Sequence, residues 1–408
     1  MKLANASIPN ITASKPTSVS SDTYPELCNF VFSDEEQEID DDLNWPEIQS
    51  LIVQNEVSLT LDNKLVKRLD INHIASNYPS EDQHCFNLEN PNALLFGVFD
   101  GHGGPECAQL VRDVLPNQIM KRIDILVDAS FETPTLRICS VSNAIQECFL
   151  ELDKDISAKA LVEARSNPTT EPGKDFSAAI SGSCAILAYV DIPNSDLYIA
   201  NTGDSRAIIG VRDEQGWHAK IMSNDHTAHN VDEKMRMYRE HPNEAETLFS
   251  LDRVLGLLAP TRAFGDCDLK WDSKIQSNIP SQYFPDVRAN LEHYRSPPYI
   301  SSLPEIQHHH LTSSDRFLVL ASDGLYDELS NDQIVQLVAS HLEQEPCLND
   351  SKWSFSDENA STHLIRNAFG GSNQRSITYR LGIRPPYARS VRDDITVVVV
   401  FFQSTKSN

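Results

Sequence analysis

Short apolar runs that each stop at a turn-forming residue recur along the chain, and between them lie longer stretches with apolar positions at helical spacing. Leu94–Phe99, Cys184–Val190, Leu197–Asn201, Ala207–Val211, Phe317–Ala321 and Ile395–Phe402 are rich in β-branched and large apolar residues and read as strands. Residues 104–127 and 141–164 carry apolar side chains on one face, for example Ala108, Val111, Val114 and Leu115, with no interior glycine. This spacing predicts two long helices. A third helix is predicted over Asn331–His341, where Ser330 or Asn331 caps and Ile334, Val335 and Val338 face inward. Hairpin strands with long amphipathic helices before and between them predict layers, with helices covering a sheet or a pair of sheets. No internal repeat is visible.

Residues 1–20 contain no acid, two lysines and many Ser, Thr and Asn, a composition like that of an organelle targeting segment, although arginine is missing. An acidic block follows, from Asp34-Glu35-Glu36 to Asp40-Asp41-Asp42, and reads as a solvated linker. The expected division is therefore a flexible amino-terminal segment over 1–44 and one folded domain over 45–408. Within that domain, residues 273–302 hold several Pro, Ser and Asn with little periodicity and read as a surface insertion. A chain of 408 residues with 40% hydrophobic content can bury a large core. Its longest apolar stretch, Ile395–Phe402, is far below the roughly 20 residues that a spanning helix needs.

Charge narrows the partners. There are 34 Lys plus Arg against 59 Asp plus Glu, a net charge of −25, which disfavours a nucleic-acid partner. The same field repels phosphorylated substrates unless bound cations reverse its sign locally. The 8 cysteines form no Cys-x-x-Cys pair and read as reduced thiols, with Cys107 and Cys184 as small core residues rather than nucleophiles. Adjacent histidines His308-His309-His310 on an extended segment alternate sides, which argues against a metal site there.

Several acids sit where apolar runs end. Asp100 and Asp323 each precede a glycine after such a run, Asp204 lies in Thr202-Gly203-Asp204-Ser205-Arg206, and Asp393-Asp394 immediately precedes Ile395–Phe402. Glu81-Asp82 lies upstream. One such Asp is ordinarily a turn former. Jointly, acids held beside buried strands are costly unless a cation pairs with them, so the set points to a multi-carboxylate metal centre.

Phe99-Asp100-Gly101-His102-Gly103-Gly104, Ser181-Gly182-Ser183, Asn201-Thr202-Gly203-Asp204-Ser205-Arg206, Thr261-Arg262-Ala263-Phe264-Gly265-Asp266, Leu320-Ala321-Ser322-Asp323-Gly324 and Arg392-Asp393-Asp394-Ile395-Thr396-Val397 follow one another in the chain. As an ordered series over about residues 75–402 they resemble the metal-dependent PP2C-type (PPM) protein serine/threonine phosphatases. Ser223-Asn224-Asp225-His226, Glu240-His241-Pro242, Asp252–Leu258 and Thr362–Arg366 are similar to the pyruvate dehydrogenase phosphatase branch.

The resemblance implies an α+β fold, a central sandwich of antiparallel sheets flanked by helices in four α-β-β-α layers. It implies two Mg²⁺ or Mn²⁺ ions, with Asp100 bridging them, the Gly101 carbonyl serving one, Asp323 and Asp393 completing the other, Glu81 and Asp82 helping to hold the pair, and Asp204 serving a weaker third ion. Such ions would activate a water for in-line attack on a phosphoserine or phosphothreonine, with His102 as proton donor to the leaving oxygen. The position where many members place a phosphate-binding arginine is Asn77, a departure shared with the branch. Arg262 is a second candidate for phosphate, or alternatively ties the flap to the core. The branch implies the phosphorylated E1 component of pyruvate dehydrogenase as substrate and a mitochondrial matrix location. The alternatives are other phosphoproteins in the cytoplasm or nucleus, an inactive metal-binding relative, or a scaffold working through its acidic amino-terminal block.

Overall fold

The computed structural model describes residues 44–127, 131–166, 171–280, 283, 293–343, 351–385 and 387–403. The expected targeting segment and acidic block lie outside the described residues, as does much of the 273–302 stretch. The first helix, α1 (Trp45–Val53), opens on a capping box in which Asn44 and Glu47 bond each other's backbone N–H groups.

Eleven strands build two antiparallel sheets: β1 (Val57–Thr60), β2 (Val66–Ile74), β3 (Gln83–Asn87), β4 (Ala93–Phe99), β5 (Ala185–Asp191), β6 (Asp196–Thr202), β7 (Arg206–Asp213), β8 (Gly216–Ile221), β9 (Glu305–His310), β10 (Asp315–Ala321) and β11 (Ile395–Phe402). One sheet has the order β9-β6-β5-β4-β3, the other β1-β2-β11-β10-β7-β8. Side chains alternate along each strand, so each sheet has two apolar faces. Leu94, Phe96 and Val98 of β4, with Ile186 and Ala188 of β5, meet Leu318, Leu320, Val398 and Val400 in the core between the sheets. The opposite face, Leu95, Leu187 and Tyr189, is covered by α2 (Glu106–Val127), α3 (Pro134–Ser166) and α4 (Lys174–Ile180). Across the molecule Val319, Val397 and Val399 face α1 and three helices from the second half of the chain, Asn331–Glu343, Ala360–Ala368 and Gln374–Gly382. This is the four-layer arrangement, and burial on both faces is why these strands read as unbroken apolar runs.

Helix Asn331–Glu343 starts where its sequence predicts, with the Ser330 hydroxyl accepting from the Gln333 N–H and the Gln333 side chain accepting from the Ser330 N–H. Within 273–302, Tyr294, Tyr299 and Ile300 are buried against Met237, Leu248 and Val254. These residues, with helix α5 (Val231–Glu240), form a flap that has a small core of its own. Among the described residues, no helix is long and apolar enough to cross a membrane.

Gly210 of β7 pairs with Phe317 of β10, and a Cβ at Gly210 would fall inside the Phe317 ring. Gly210→Ala is expected to lower stability by about 1–3 kcal/mol in urea unfolding, the usual range for overpacking, while leaving turnover per folded molecule unchanged.

Candidate metal centre

The buried run of β4 ends at Asp100, and Gly101–His102 then pairs with Gly182–Ser183, which in turn pairs with Phe264–Gly265. The Asp100 carbonyl accepts a hydrogen bond from the Cys184 N–H at 2.8 Å, so the backbone around the carboxylate is fixed on both sides. Asp204 follows β6 through Gly203, whose φ of +107° suits glycine and whose missing Cβ makes room for the Cys184 side chain. The Gly203 N–H donates to Nδ1 of the buried His226 at 3.2 Å, and the His226 N–H donates back to the Gly203 carbonyl at 2.9 Å. Asp323 opens a one-turn helix, Asp323–Tyr326, at the end of β10.

Folding brings one carboxylate oxygen from each of Asp100, Asp204 and Asp323 within 4.8 Å of the others. Burial, reinforced by Asp323, Asp82 and Asp204, drives the Asp100 carboxyl well above its ordinary pKa. Burial and then Asp323 push Asp204 up to about 7. Burial and the charge of Asp327, one helical turn onward, raise Asp323. The Asp82 carboxylate accepts from the Ser322 hydroxyl at 2.8 Å; burial and the neighbouring Asp394 push its pKa up to about 8. Like charges crowded in this way favour losing charge or gaining a cation. Oxygen donors on rigid strand ends fit a hard divalent ion such as Mg²⁺ or Mn²⁺.

The other expected residues have distinct surroundings. Glu81 accepts from the Gly104 N–H at 2.7 Å and from the Asn77 amide at 2.5 Å, tying the 77–81 loop to the glycine turn beside His102. Gly101 packs with no room for a Cβ against the Glu81 carbonyl. Asp393 accepts from the Asp394 N–H at 2.7 Å and pairs with Arg389, beside the Asp323–Gly324 turn. Its neighbour Asp394 does a different job. One oxygen takes the Ser76 N–H, the Ser76 hydroxyl at 2.8 Å and the Asn77 N–H at 3.1 Å; the other takes the Ser80 hydroxyl at 3.1 Å and the Glu81 and Asp82 N–H groups at 2.9 and 3.3 Å. Burial alone would raise its pKa, but these donors win and lower it. Asp394 therefore holds the loop that carries Glu81 and Asp82.

His102 Nε2 lies 2.9 Å from Asp266 Oδ2. Burial opposes its charged form, yet Asp266, Asp204 and Glu81 together raise its pKa above the ordinary value. Asp266, Asp327 and Asp394 carry no role in the motif reading. The only sequence signals for them are a glycine before Asp266, a one-turn spacing from Asp323 to Asp327, and the doubling at 393–394.

Of the two roles expected for Arg262, its hydrogen bonds match the flap tie. Its Nε donates to Glu233 Oε2 at 3.1 Å, Nη2 to Glu233 Oε1 and Nη1 to the Leu303 carbonyl at 2.9 Å. Arg236 and the Thr261 hydroxyl complete the shell of Glu233. Cys107 and Cys184 are buried, and burial drives both thiols well above their usual range, so neither suits a nucleophile. On β9, His308 and His310 reach Asp196 on one side while His309 reaches Asp315 on the other.

Residues 63–375 match the family model described as protein phosphatase 2C. The chain belongs to the protein phosphatase 2C family. It is a protein serine/threonine phosphatase. It is 33% identical to human [pyruvate dehydrogenase [acetyl-transferring]]-phosphatase 2, mitochondrial, over 83% of this chain and 78% of that one. It is 32% identical to the rat phosphatase 1 of the same name, over 89% and 83%. A protein phosphatase 2C homolog of Schizosaccharomyces pombe is 34% identical over 85% and 83%. The solved serine-threonine phosphatase 2C from Toxoplasma gondii superposes with a TM-score of 0.54 at 17% identity, covering 85% of this chain and 98% of that one, and shows the shared fold.

The flap anchor of this phosphatase makes a pH prediction. Burial would raise the Glu233 carboxyl, but Arg262 and Arg236 bring it down to about 2 from an ordinary 4.5. A depressed folded-state pKa stabilises above the unfolded value and loses that contribution as pH falls through the folded one. Glu233→Gln should therefore cost on the order of 2 kcal/mol near pH 7, a figure discounted for solvent screening. The gap to the parent protein in urea unfolding should close as pH falls from 4.5 toward 2.

Proposed function

We propose that this phosphatase is Mg²⁺- or Mn²⁺-dependent, that it is of the mitochondrial pyruvate dehydrogenase phosphatase type, and that its substrate is the phosphorylated E1 component, in the matrix. The convergence of Asp100, Asp204 and Asp323 carries the metal-dependent reaction. The names of the human and rat relatives support the substrate and the location. The fission yeast relative carries only the family name, which keeps cytoplasmic or nuclear phosphoproteins as the competing reading.

In this reading Asp100, the Gly101 carbonyl, Asp323 and Asp393 hold two cations, with Glu81 and Asp82 supporting them and Asp204 available to a weaker third. Cations bound there would supply Lewis-acid activation of the attacking water and neutralise charge on the phosphoryl oxygens. The chain's own residues do the rest. Asp394 keeps the 76–82 loop closed on the centre, and Ser322 orients Asp82. His102 gives a proton to the serine or threonine oxygen as it leaves, because an alkoxide is a poor leaving group without one. Asn77, bonded to Glu81, stands where a phosphate-binding arginine would, so phosphate anchoring falls to the cations.

The deciding experiment compares phosphorylated pyruvate dehydrogenase complex with unrelated phosphoproteins, with and without chelator. Release of phosphate from the complex in Mn²⁺, lost in EDTA and restored by added Mn²⁺, is expected. Equal rates on all substrates would remove the substrate assignment, and turnover that survives EDTA would remove the metal mechanism. Asp323→Asn should lower phosphoserine-peptide turnover by roughly 100-fold or more, the scale of losing electrostatic stabilisation at the reacting centre, with the fold retained by circular dichroism. His102→Ala should slow a phosphothreonine peptide far more than p-nitrophenyl phosphate, whose phenolate scarcely needs a proton.

A further inference from the structure

We propose that Asp266 is a positioning residue for the phosphatase reaction, holding His102 through Nε2 so that Nδ1 is the nitrogen that protonates the departing oxygen. This rests on the reading of His102 as proton donor and adds which nitrogen acts and what aims it.

The geometry around one hydrogen bond carries the argument. Asp266 Oδ2 lies 2.9 Å from His102 Nε2, and with the carboxylate oxygen as acceptor the hydrogen sits on Nε2, the tautomer the proposal assigns. Among the described residues Nδ1 has no hydrogen-bond partner, and the His102 side chain is 25% exposed, which leaves Nδ1 as the nitrogen free to meet a substrate oxygen.

The backbone is shaped for this contact at three places. Gly182 pairs with His102 across the short sheet, and a Cβ on Gly182 would overlap both His102 Nε2 and the Asp266 carboxylate; only glycine leaves room for the pair. Asp266 itself is left-handed, at φ 44° and ψ 39°, directly after left-handed Gly265. A non-glycine residue held there costs on the order of 1 kcal/mol or more, and such conformations persist where the surroundings enforce them. The enforcement is visible. The Asp266 N–H donates to the Ser181 carbonyl at 3.1 Å, and the Gly265 N–H donates to Asp153 of α3 at 2.9 Å. Lys270 then locks Asp153 at 2.7 Å and the Ala263 carbonyl at 2.9 Å. A turn-forming aspartate needs none of these devices. Together they deliver one carboxylate to one ring nitrogen.

Water oxygen forms the new bond to phosphorus while the bond from phosphorus to the serine or threonine oxygen breaks, its electron pair staying on that oxygen. The doubly protonated His102 ring transfers its Nδ1 proton to this oxygen. The ring is left neutral with hydrogen on Nε2, still directed at Asp266. The spare proton of the attacking water passes to solvent, and solvent recharges Nδ1.

Asp266→Asn preserves shape while weakening the preference for hydrogen on Nε2. It is expected to lower kcat on a phosphothreonine peptide by about 10- to 100-fold, the range of a mispositioned general acid, with a loss on p-nitrophenyl phosphate at least tenfold smaller and KM unchanged. The His102→Ala/Asp266→Asn double variant should be no slower than His102→Ala alone. Equal losses of Asp266→Asn on both substrates, or losses that add to those of His102→Ala, overturn the positioning role. If His102→Ala itself shows no dependence on leaving group, the proton-donor reading falls first and this proposal with it. A readout free of any Asp266 variant is the ¹⁵N-histidine spectrum of the full chain in Mg²⁺, with His102 assigned by its loss in His102→Gln. Hydrogen on Nε2 in the neutral ring is expected, and a neutral ring protonated at Nδ1 overturns the assignment.

Discussion

Mutual repulsion of buried carboxylates is the constraint on which the catalytic end of this molecule is built. Asp100, Asp204 and Asp323 share a space in which each raises the cost of charging the others, and Asp82 adds to the pressure from the side. A flexible chain would relieve such crowding by moving apart. Here it cannot, because Asp100 terminates a fully buried strand, Gly203 is bonded both ways to a buried histidine, and Asp323 opens a helix against β11. In the proposed reading, the unfavourable electrostatics favour a divalent cation, which would offset several of these charges together.

The two sheets contribute opposite halves of this arrangement. Asp100 and Asp204 leave the five-stranded sheet, whereas Asp323 leaves the six-stranded sheet and Asp394 enters it. The distance between the carboxylates is consequently set by the packing of Leu94, Phe96 and Val98 against Leu318, Val398 and Val400. Close-packed interiors transmit small shifts, so the dry core is also the ruler for the centre. Asp394 extends the same logic to the 76–82 loop. Its six donors include four backbone N–H groups, a pattern that orders the loop by hydrogen bonds and leaves Tyr78 exposed.

What the sequence disclosed follows from what was buried in it. Strands apolar on both faces, such as β4 and β11, were legible within a residue or two. Strand β2 was not, because Asp70 and Asn72 interrupt its pattern. Asp70 accepts the Ala360 N–H at the start of helix Ala360–Ala368, and Asn72 donates to the Ile52 carbonyl and the Thr362 hydroxyl, so both are satisfied in the interior by distant partners. Helix Ala360–Ala368 is buried along its whole length yet reads as polar for the same reason. At the centre, the positions of the acids were legible from the motif series, but the division of labour between Asp393 and Asp394 depends on which backbone N–H groups face each one. The pairing of Asp266 with His102 spans 164 positions and left no periodic trace.

The flap is built so that it can change independently of the chemistry. Its core of Met237, Leu248, Val254, Tyr294 and Tyr299 is separate from the three larger clusters. Polar links to the body include Glu233 with Arg262, the bridge between Thr227 and Pro260, and the bond from the Thr261 N–H to the His226 carbonyl. That last bond matters most, because His226 also fixes Gly203 and hence Asp204. Substitutions on the outer face of the flap can alter which phosphoprotein is accepted without disturbing the carboxylates. Substitutions along the 226–261 contact would instead reach Asp204 through two backbone hydrogen bonds. The flap contact and the placement of Asp204 therefore share one structural element, with His226 as the joint between them.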